Sequence, residues 1–242
     1  MLFWILLGMA AAVLLVSFAT YMLCFFSPHK GQNDIYNYPS AEQYLPYREG
    51  AIRMIRAMAE VPCEIVSVRS REGLRLTGRY YAQSEAAPLA ICFHGYRAVG
   101  LRDFCGGSRA ILDRGMDLLL VDQRAQGGSA GHTMTFGIKE RWDCHAWVRW
   151  AAERFGPERE IVLYGISMGA ATVLMAAGTP FAGNVRAIVA DSPYSSPRAI
   201  IQKVCREDLH LPAGLCWFFL RLGARLFGGF DPEENTAAAE VK

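Results

Sequence analysis

The sequence has no charged residue before Lys30, and residues 2–26 are almost wholly apolar. A helix of that length, rising ~1.5 Å per residue, is long enough to cross the ~30 Å hydrocarbon layer of a bilayer. A cleaved signal peptide is the alternative, but the run lacks a basic start and a clean small-x-small site. We therefore predict a single transmembrane anchor at residues 1–27. Basic residues follow this span and none precedes it, which favours a cytoplasmic position for the rest of the chain.

The seven cysteines form no C-x-x-C pair, and the chain has neither a Lys/Arg-rich run nor an internal repeat. Scattered cysteines in odd number predict no disulfide framework and no metal site, so we expect small buried apolar side chains. The formal net charge of +2 is too small to favour nucleic acid as a partner. No cofactor is predicted, and the oligomeric state is left open.

Residues 28–60 are predicted to be a juxtamembrane linker followed by an amphipathic helix. Ser40 begins a capping-box pattern. Beyond it, apolar side chains recur at helical spacing, namely at Tyr47, Ala51, Ile52, Ile55, Met58 and Ala59. We expect this face to pack on the following domain and the arginines of the helix to be solvated. Lipid headgroups are the alternative partner for those arginines.

Short apolar runs alternate with helical patterns from residue 61 onward. Residues 63–70 and 74–82 flank a turn and predict a β-hairpin. Four further runs predict buried strands, at 89–94, 116–122, 161–165 and 185–191. A helix is predicted where Cys144, Trp147, Val148 and Ala151 recur at helical spacing before Gly156. We therefore predict an α/β fold with a mainly parallel sheet and helices on both faces.

The motif GISMG at 165–169 lies between a predicted strand and a predicted helix. In that context G-x-S-x-G is typical of a nucleophile elbow, which presents a serine at the carboxyl end of a strand. Ser167 is therefore the predicted nucleophile, and the Met168 backbone N–H is one predicted oxyanion donor. The loop HGY at 94–96 follows an earlier strand and offers the Tyr96 backbone N–H as the second. We expect the His94 ring to bond only to backbone.

Four motifs in this order, FHGY, VDQRAQGGSAG, YGISMGAAT and VADSPYS, resemble those of the α/β-hydrolase superfamily. The resemblance is closest to the membrane-tethered branch that has one N-terminal span. It implies that Ser167 is the nucleophile and that Tyr96 and Met168 supply oxyanion amides. It further implies a structural turn at 122–124 and a cap at 193–230 over an acyl pocket. The implied partners are a small-molecule or lipid acyl substrate and the membrane.

The superfamily places its acid and histidine after later strands, which are not evident in the sequence after Ser167. Asp231, Pro232 and Glu234 have the pattern of a helix start, and this predicted helix runs to Lys242 without a stop signal. We therefore expect residues 61–242 to be an incomplete α/β-hydrolase domain that lacks its last strands. Without its base, such a serine elbow would lose most of its rate enhancement.

Asp191 and His210 are the triad candidates that the sequence does contain. Asp191 ends a predicted strand, where it is either the acid or a strand-end cap. His210, the one histidine after Ser167, lies in the cap and not after a core strand. His132 and His145 precede the serine and are expected in a loop and on a helix surface.

The expected activity is cleavage of an ester, thioester or amide acyl bond through an acyl-enzyme on Ser167. A peptidase that acts on peptide N-termini would use the same elbow. The alternative from another class is a non-catalytic acyl-binding or scaffold module at the membrane. The apolar run at 215–227 is open to three interpretations: an acyl-pocket cap, ordinary core packing or a lipid-facing surface.

Overall fold

The structure, a computed structural model, describes residues 1–28, 35–38 and 42–240. The described residues form one six-stranded sheet, whose strands are β1 (Glu64–Arg69), β2 (Arg75–Tyr81), β3 (Leu89–Phe93), β4 (Asp117–Asp122), β5 (Glu160–Ile166) and β6 (Asn184–Asp191). Its strand order is β1-β2-β4-β3-β5-β6. β2 pairs antiparallel with β1 and β4, and the four strands from β4 to β6 are parallel. The prediction of a mainly parallel sheet is confirmed.

The helices in these ranges are α1 (Leu2–Cys24), α2 (Arg48–Ala59), α3 (Gly100–Asp103), α4 (Cys105–Leu112), α5 (Glu140–Phe155), α6 (Met168–Ala177), α7 (Pro197–Lys203), α8 (Ala213–Gly223) and α9 (Ala237–Glu240). A 3₁₀ segment, Glu42–Tyr47, precedes α2. π-helical turns follow α7 and α8, at Val204–Asp208 and Ala224–Gly228. Gly156, with φ 94°, ends α5 as the sequence predicts.

Helices cover both faces of the sheet. Successive residues of a strand point to opposite faces, so neighbouring residues of β4 pack against different helices. Leu119 belongs to the same buried cluster as Trp147 of α5. The next residue, Leu120, belongs to a second cluster with Ile111 of α4. All of β3 is buried, which matches its continuous apolar sequence. β6 is at one edge of the described sheet, and Val189 in it is 42% exposed.

α2 packs on the domain through Ala51, Ile55 and Met58, as its apolar spacing predicts. Two residues were wrongly assigned to the packed face: Tyr47 precedes α2 and is 69% exposed, and Ala59, the last residue of α2, is exposed as well. Ser40, with which the capping-box pattern begins, lies outside the described residues.

The predicted helix start at Asp231 was also wrong. Residues 231–236 form turns, and α9 begins only at Ala237. The Asp231 carboxylate accepts hydrogen bonds from the guanidinium groups of Arg221, at 3.0 and 3.1 Å, and Arg225. These contacts hold the pKa of Asp231 well below its usual range. An ion pair with α8 and the turn after it therefore replaces the predicted helix cap.

All seven cysteines are unpaired thiols, and four of them are buried. Burial raises the pKa of Cys144 on α5, which keeps this thiol protonated. Across the described ranges, no group of three His, Cys, Asp or Glu side chains is arranged to hold a metal ion.

Candidate active site

Ser167 lies on a sharp turn between β5 and α6. Its backbone has φ 53° and ψ −110°, a conformation that non-glycine residues rarely adopt. Strain of this kind persists where the surrounding structure enforces it, and it is frequent at functional sites. The turn points the serine out of the carboxyl end of β5, as in the predicted elbow. Ser167 is partly exposed, and its Oγ has no hydrogen-bond partner among the described residues.

The two glycines of the motif allow the elbow to pack closely. A side chain at Gly169 would overlap the carbonyl group of Phe93, at the end of β3. A side chain at Gly165 would overlap the backbone of Gly169. The turn is thus fixed against the neighbouring strand by backbone contacts that leave no room for a methyl group.

The loop at 94–96 lies directly against the elbow. A Cβ atom at Gly95 would be 3.6 Å from the Ser167 Cβ. The Gly95 N–H donates to the Asp103 carboxylate at 2.8 Å, which holds the loop in place. Neither the Tyr96 nor the Met168 backbone N–H donates to a described residue. Both amides are therefore available beside the serine, and their role as oxyanion donors stays a prediction.

The His94 ring is bonded only to backbone, as expected. Its Nδ1–H donates to the Gly95 carbonyl at 2.8 Å, and its Nε2 accepts from the Gln123 N–H at 3.0 Å. The Gln123 side chain donates in turn to the His94 carbonyl at 2.5 Å and accepts from Thr172 of α6 at 3.3 Å. This network joins the ends of β3 and β4 to α6. His94 thus supports the loop and is not aimed at a substrate.

The turn at 122–124 has the structural character implied by the resemblance. The Asp122 carboxylate accepts from the backbone N–H groups of Gly100 and Gly128, at 3.3 and 2.9 Å. Arg124 is buried and forms a bidentate ion pair with Asp143 of α5, at 2.6 and 2.7 Å. Its guanidinium also donates to Glu72 in the hairpin turn at 3.1 Å. The hydrogen bonds of Asp122 and Arg124 therefore stabilise the fold next to the site.

Asp191 ends β6 beside the elbow, and its backbone carbonyl accepts from the Ser167 N–H at 2.9 Å. Its carboxylate is exposed and accepts from the Ser192 hydroxyl at 2.8 Å. No histidine in the described ranges is bonded to that carboxylate. The assignment of Asp191 as the acid therefore stays a prediction.

His210 is exposed, with φ 55°, and follows the π-helical turn after α7. No hydrogen bond joins it to Ser167 or Asp191. The other described histidines are bonded elsewhere: His132 lies in a loop, where Nδ1 donates to the Ser27 carbonyl at 3.0 Å.

His145 was expected on a helix surface, and this was wrong. It is 9% exposed, stacks on Phe181 and donates to the Ala176 carbonyl at 3.1 Å. Burial lowers its pKa, so the ring is held neutral between α5 and α6. Like His94, this histidine is a packing residue.

The side chains of Tyr96, in the predicted oxyanion loop, and of Arg97, directly after it, bind the end of α1, which the sequence did not suggest. The Tyr96 hydroxyl donates to the Cys24 carbonyl at 2.7 Å, and the Arg97 guanidinium donates to the Leu23 carbonyl at 2.7 Å. Burial raises the pKa of Tyr96, which keeps the hydroxyl protonated as a donor. The last carbonyls of a helix lack intrahelical partners, and these two side chains supply them. The loop beside Ser167 thus also holds the N-terminal helix.

The cap predicted at 193–230 contains α7, α8 and the two π-helical turns. Its apolar run contains two sets of side chains. Trp217, Leu220 and Ala224 are buried in a cluster that includes Tyr21 of α1 and Phe25, which follows it. A second set, Leu215, Phe218, Leu226 and Phe227, is exposed, and the other large apolar side chains of the run are partly buried. Core packing therefore accounts for only part of this run.

Replacing Asp103 with alanine is expected to slow the reaction of Ser167 with a fluorophosphonate about tenfold. The substitution removes the acceptor of the Gly95 N–H, and a hydrogen bond to a charged group contributes ~1.5–3 kcal/mol. Asp103→Asn keeps an acceptor and should restore most of the rate. Asp113→Ala, at an exposed ion pair on α4, is the matched control. Equal rates for Asp103→Ala and the control would contradict this role.

The sequence model for the X-Pro dipeptidyl-peptidase family (S15) matches residues 32–217. Among curated proteins, the chain is 25% identical over 178 residues to the uncharacterized protein YqkD of Bacillus subtilis (strain 168). That alignment covers 72% of this chain and 57% of YqkD, so the chain spans little more than half the length of this relative.

Solved structures show the same fold. The esterase Pf2001 of Pyrococcus furiosus superposes with a TM-score of 0.55 at 24% identity, covering 67% of this chain and 64% of the esterase. The α/β-hydrolase GrgF of Penicillium sp. sh18 superposes with a TM-score of 0.52 at 21% identity, covering 70% of this chain and 56% of GrgF. At these identities the likeness defines the α/β-hydrolase architecture alone.

Proposed function

This chain belongs to the X-Pro dipeptidyl-peptidase (S15) family, within the α/β-hydrolase superfamily, and we propose that it is a serine hydrolase acting through Ser167. The substrate is an ester, thioester or amide of a small-molecule or lipid acyl group. The observation that carries the proposal is the strained turn of Ser167, whose Oγ is unbonded beside two available backbone N–H groups. Cleavage of peptide N-termini, the activity named by the family description, uses the same elbow and is one form of this proposal.

The proposed reaction is acyl transfer to water in two steps. Ser167 Oγ attacks the substrate carbonyl, and its proton passes to a base. The N–H groups of Tyr96 and Met168 stabilise the negative oxygen of the tetrahedral intermediate, which then expels the leaving group and forms an acyl-enzyme. Water releases the acyl group from Ser167 in the second step.

Asp191 and His210 are the candidates for the acid and the base within this proposal. Neither side chain is bonded to Ser167 Oγ, and His94 and His145 are held by backbone carbonyls. We therefore expect Ser167 to react slowly, at the residual rate that the oxyanion donors and binding supply. A His210→Ala variant tests the base assignment separately from the nucleophile.

We further propose that α1 is a retained membrane anchor. Support comes from its length and apolar sequence, together with the burial of Ser17 and Tyr21 in its second half. Ser17 and Phe25 are fully buried against the rest of the chain. Removal of the helix before Ser27 would uncover Phe136 and Phe230, whose rings lie 5.6 and 5.3 Å from the Phe25 ring. A cleaved signal peptide has no such role in the core.

A fluorophosphonate probe on the detergent-solubilised full chain tests the nucleophile. We expect the wild-type chain to be labelled and the Ser167→Ala variant to show no labelling. The control is Ser67→Ala, at an exposed serine on β1, which should label like the wild type. If His210→Ala also abolishes labelling, His210 is the base. Persistent labelling of Ser167→Ala would refute the proposal.

The alternative, a non-catalytic acyl-binding or scaffold module, is favoured by one observation. Ser167 Oγ has no histidine partner among the described residues. A folded wild-type chain that is never labelled, with circular dichroism unchanged from that of Ser167→Ala, would support this module and contradict the hydrolase.

A further inference from the structure

The exposed apolar side chains of the cap continue the apolar surface of α1. Leu215, Phe218 and Leu226 are 57%, 55% and 53% exposed. Phe227 joins them to the anchor, because its ring lies 5.1 Å from that of Phe18 in an edge-to-face contact. Phe18 is itself 45% exposed. We call this set of five side chains the cap–anchor surface. An apolar patch of this kind marks a site for a partner or a membrane.

The packing of α8 against α1 fixes where this surface lies along the anchor. A side chain at Gly223 would overlap the carbonyl oxygen of Ser17, so the two helices touch at backbone distance. Small residues at such crossings are typical of helices that associate in membranes. Further along the chain, Gly228 lies against the Tyr21 ring. The contact therefore follows α1 from Ser17 towards its end.

The depth of the contact follows from the length of α1. A helix of 23 residues is ~34 Å long, and the hydrocarbon layer is ~30 Å thick, so only ~4 Å of α1 can remain outside it. Ser17 lies seven residues, or ~10 Å, from the last residue of the helix. Even if all ~4 Å outside the layer lie at the C-terminal end of α1, Ser17 is ~10 Å from that end. The Ser17–Gly223 contact is therefore within the hydrocarbon layer.

We infer that the cap–anchor surface is embedded in one leaflet of the bilayer, with lipid acyl chains as its partner. This rests on the proposed anchoring by α1. The charged groups next to the surface are consistent with that position, because Arg221 and Arg225 are paired with Asp231, and Arg221 also with Glu233. Each of these two arginines therefore has an acidic partner within the chain, and Glu233 is shared with Arg198. The cap is thus a second membrane contact beside the anchor.

Photo-cross-linking of the full chain in phosphatidylcholine vesicles tests this inference. The photoreactive residue p-benzoyl-phenylalanine replaces Phe218 in one variant and Leu226 in a second. Phe3 in α1 is the positive control, and Ile65 on β1, which is 57% exposed, is the matched control away from α1. We expect lipid cross-linking at Phe218 and Leu226 to be comparable to that at Phe3 and roughly tenfold above that at Ile65.

Each other outcome overturns the inference in a distinguishable way. Cross-linking at Phe3 alone would leave the anchor in place and put the cap outside the bilayer. No lipid on Phe3, Phe218 or Leu226 would refute the anchor as well, while the labelling of Ser167 would still test the hydrolase independently. A cross-linked dimer from Phe218 would show that a second copy of the chain covers the surface. Equal labelling at Ile65 would show that lipid contact is not confined to the cap.

Discussion

Replacing Gly169 with alanine is expected to destabilise the chain by at least about 3 kcal/mol and to abolish fluorophosphonate labelling of Ser167. Overpacking a core usually costs ~1–3 kcal/mol, and more where the neighbours cannot move. Here the neighbours of the new methyl group are the carbonyl groups of Phe93 and His94, which belong to the central strand and the predicted oxyanion loop. Relief of the overlap would separate the elbow from β3. The free energy of unfolding, measured by urea titration in detergent with circular dichroism as the signal, gives the effect.

The matched control for this substitution is Gly107→Ala. Gly107 is exposed in α4, and a Cβ atom there would have no neighbour within 4 Å. Alanine in a helix is favoured over glycine by ~0.5–1 kcal/mol, so this variant should be slightly more stable than the wild type. The same chemical change should thus act with opposite sign at the two positions. A Gly169→Ala chain as stable as the wild type and still labelled would show that the elbow is not packed as described.

The strands and the elbow were predictable because their signals are local. Each buried strand is a short apolar run bounded by turn residues, and the structure ends each strand within two residues of the predicted position. The elbow was predictable from the spacing of Gly165, Ser167 and Gly169 between a strand and a helix. Strand order carries no such signal, because β4 lies between β2 and β3 only through pairings with residues distant in the chain.

Two of the errors share a physical cause, which is that a contact with another element overrode a local preference. Asp231 has the sequence pattern of a helix cap, but Arg221 and Arg225 bind its carboxylate instead. His145 has a surface position on α5 by periodicity, but α6 and Phe181 cover it. In each case the decisive contact is made by another element, and no pattern within the local segment reveals it.

In the candidate site, too, the sequence indicated some residues through local motifs and missed others that depend on contacts between elements. Ser167, Tyr96 and Met168 were located by motif. The groups that hold them were not, because the Gly95–Asp103 bond and the contact of Tyr96 with Cys24 depend on how elements meet. The second of these joins residues 72 positions apart in the chain. Through this bond, the loop that carries a predicted oxyanion amide also binds the end of α1.

Asp143→Asn is expected to destabilise the chain by about 3–5 kcal/mol, because it removes the carboxylate of a buried ion pair and leaves the charged guanidinium buried. The Arg124 and Asp143 side chains are 3% and 4% exposed, and both carboxylate oxygens accept from the guanidinium. With asparagine at 143, the buried charge of Arg124 would keep an ion pair only with Glu72, whose side chain is 42% exposed, and a weaker electrostatic attraction to the buried Glu140. The pair connects the end of β4 to α5, so its loss should weaken the packing of α5 on the sheet. Thermal and urea unfolding would measure the effect.

Glu64→Gln is the matched control, since it breaks a bidentate pair of similar geometry at the surface. Arg154 donates to both Glu64 oxygens at 2.6 and 2.8 Å, but these side chains are 35% and 52% exposed. Exposed pairs contribute only ~0.2–1 kcal/mol. Replacing Arg124 and Asp143 together with Met and Leu should recover part of the lost stability, because the buried guanidinium is then removed with its partner, while the buried Glu140 keeps its hydrogen bonds from Thr135 and Gly137. An equal loss of unfolding free energy in Asp143→Asn and Glu64→Gln would contradict the prediction, because the buried pair would then stabilise the chain no more than an exposed pair. The connection between β4 and α5 would in that case depend on apolar packing alone.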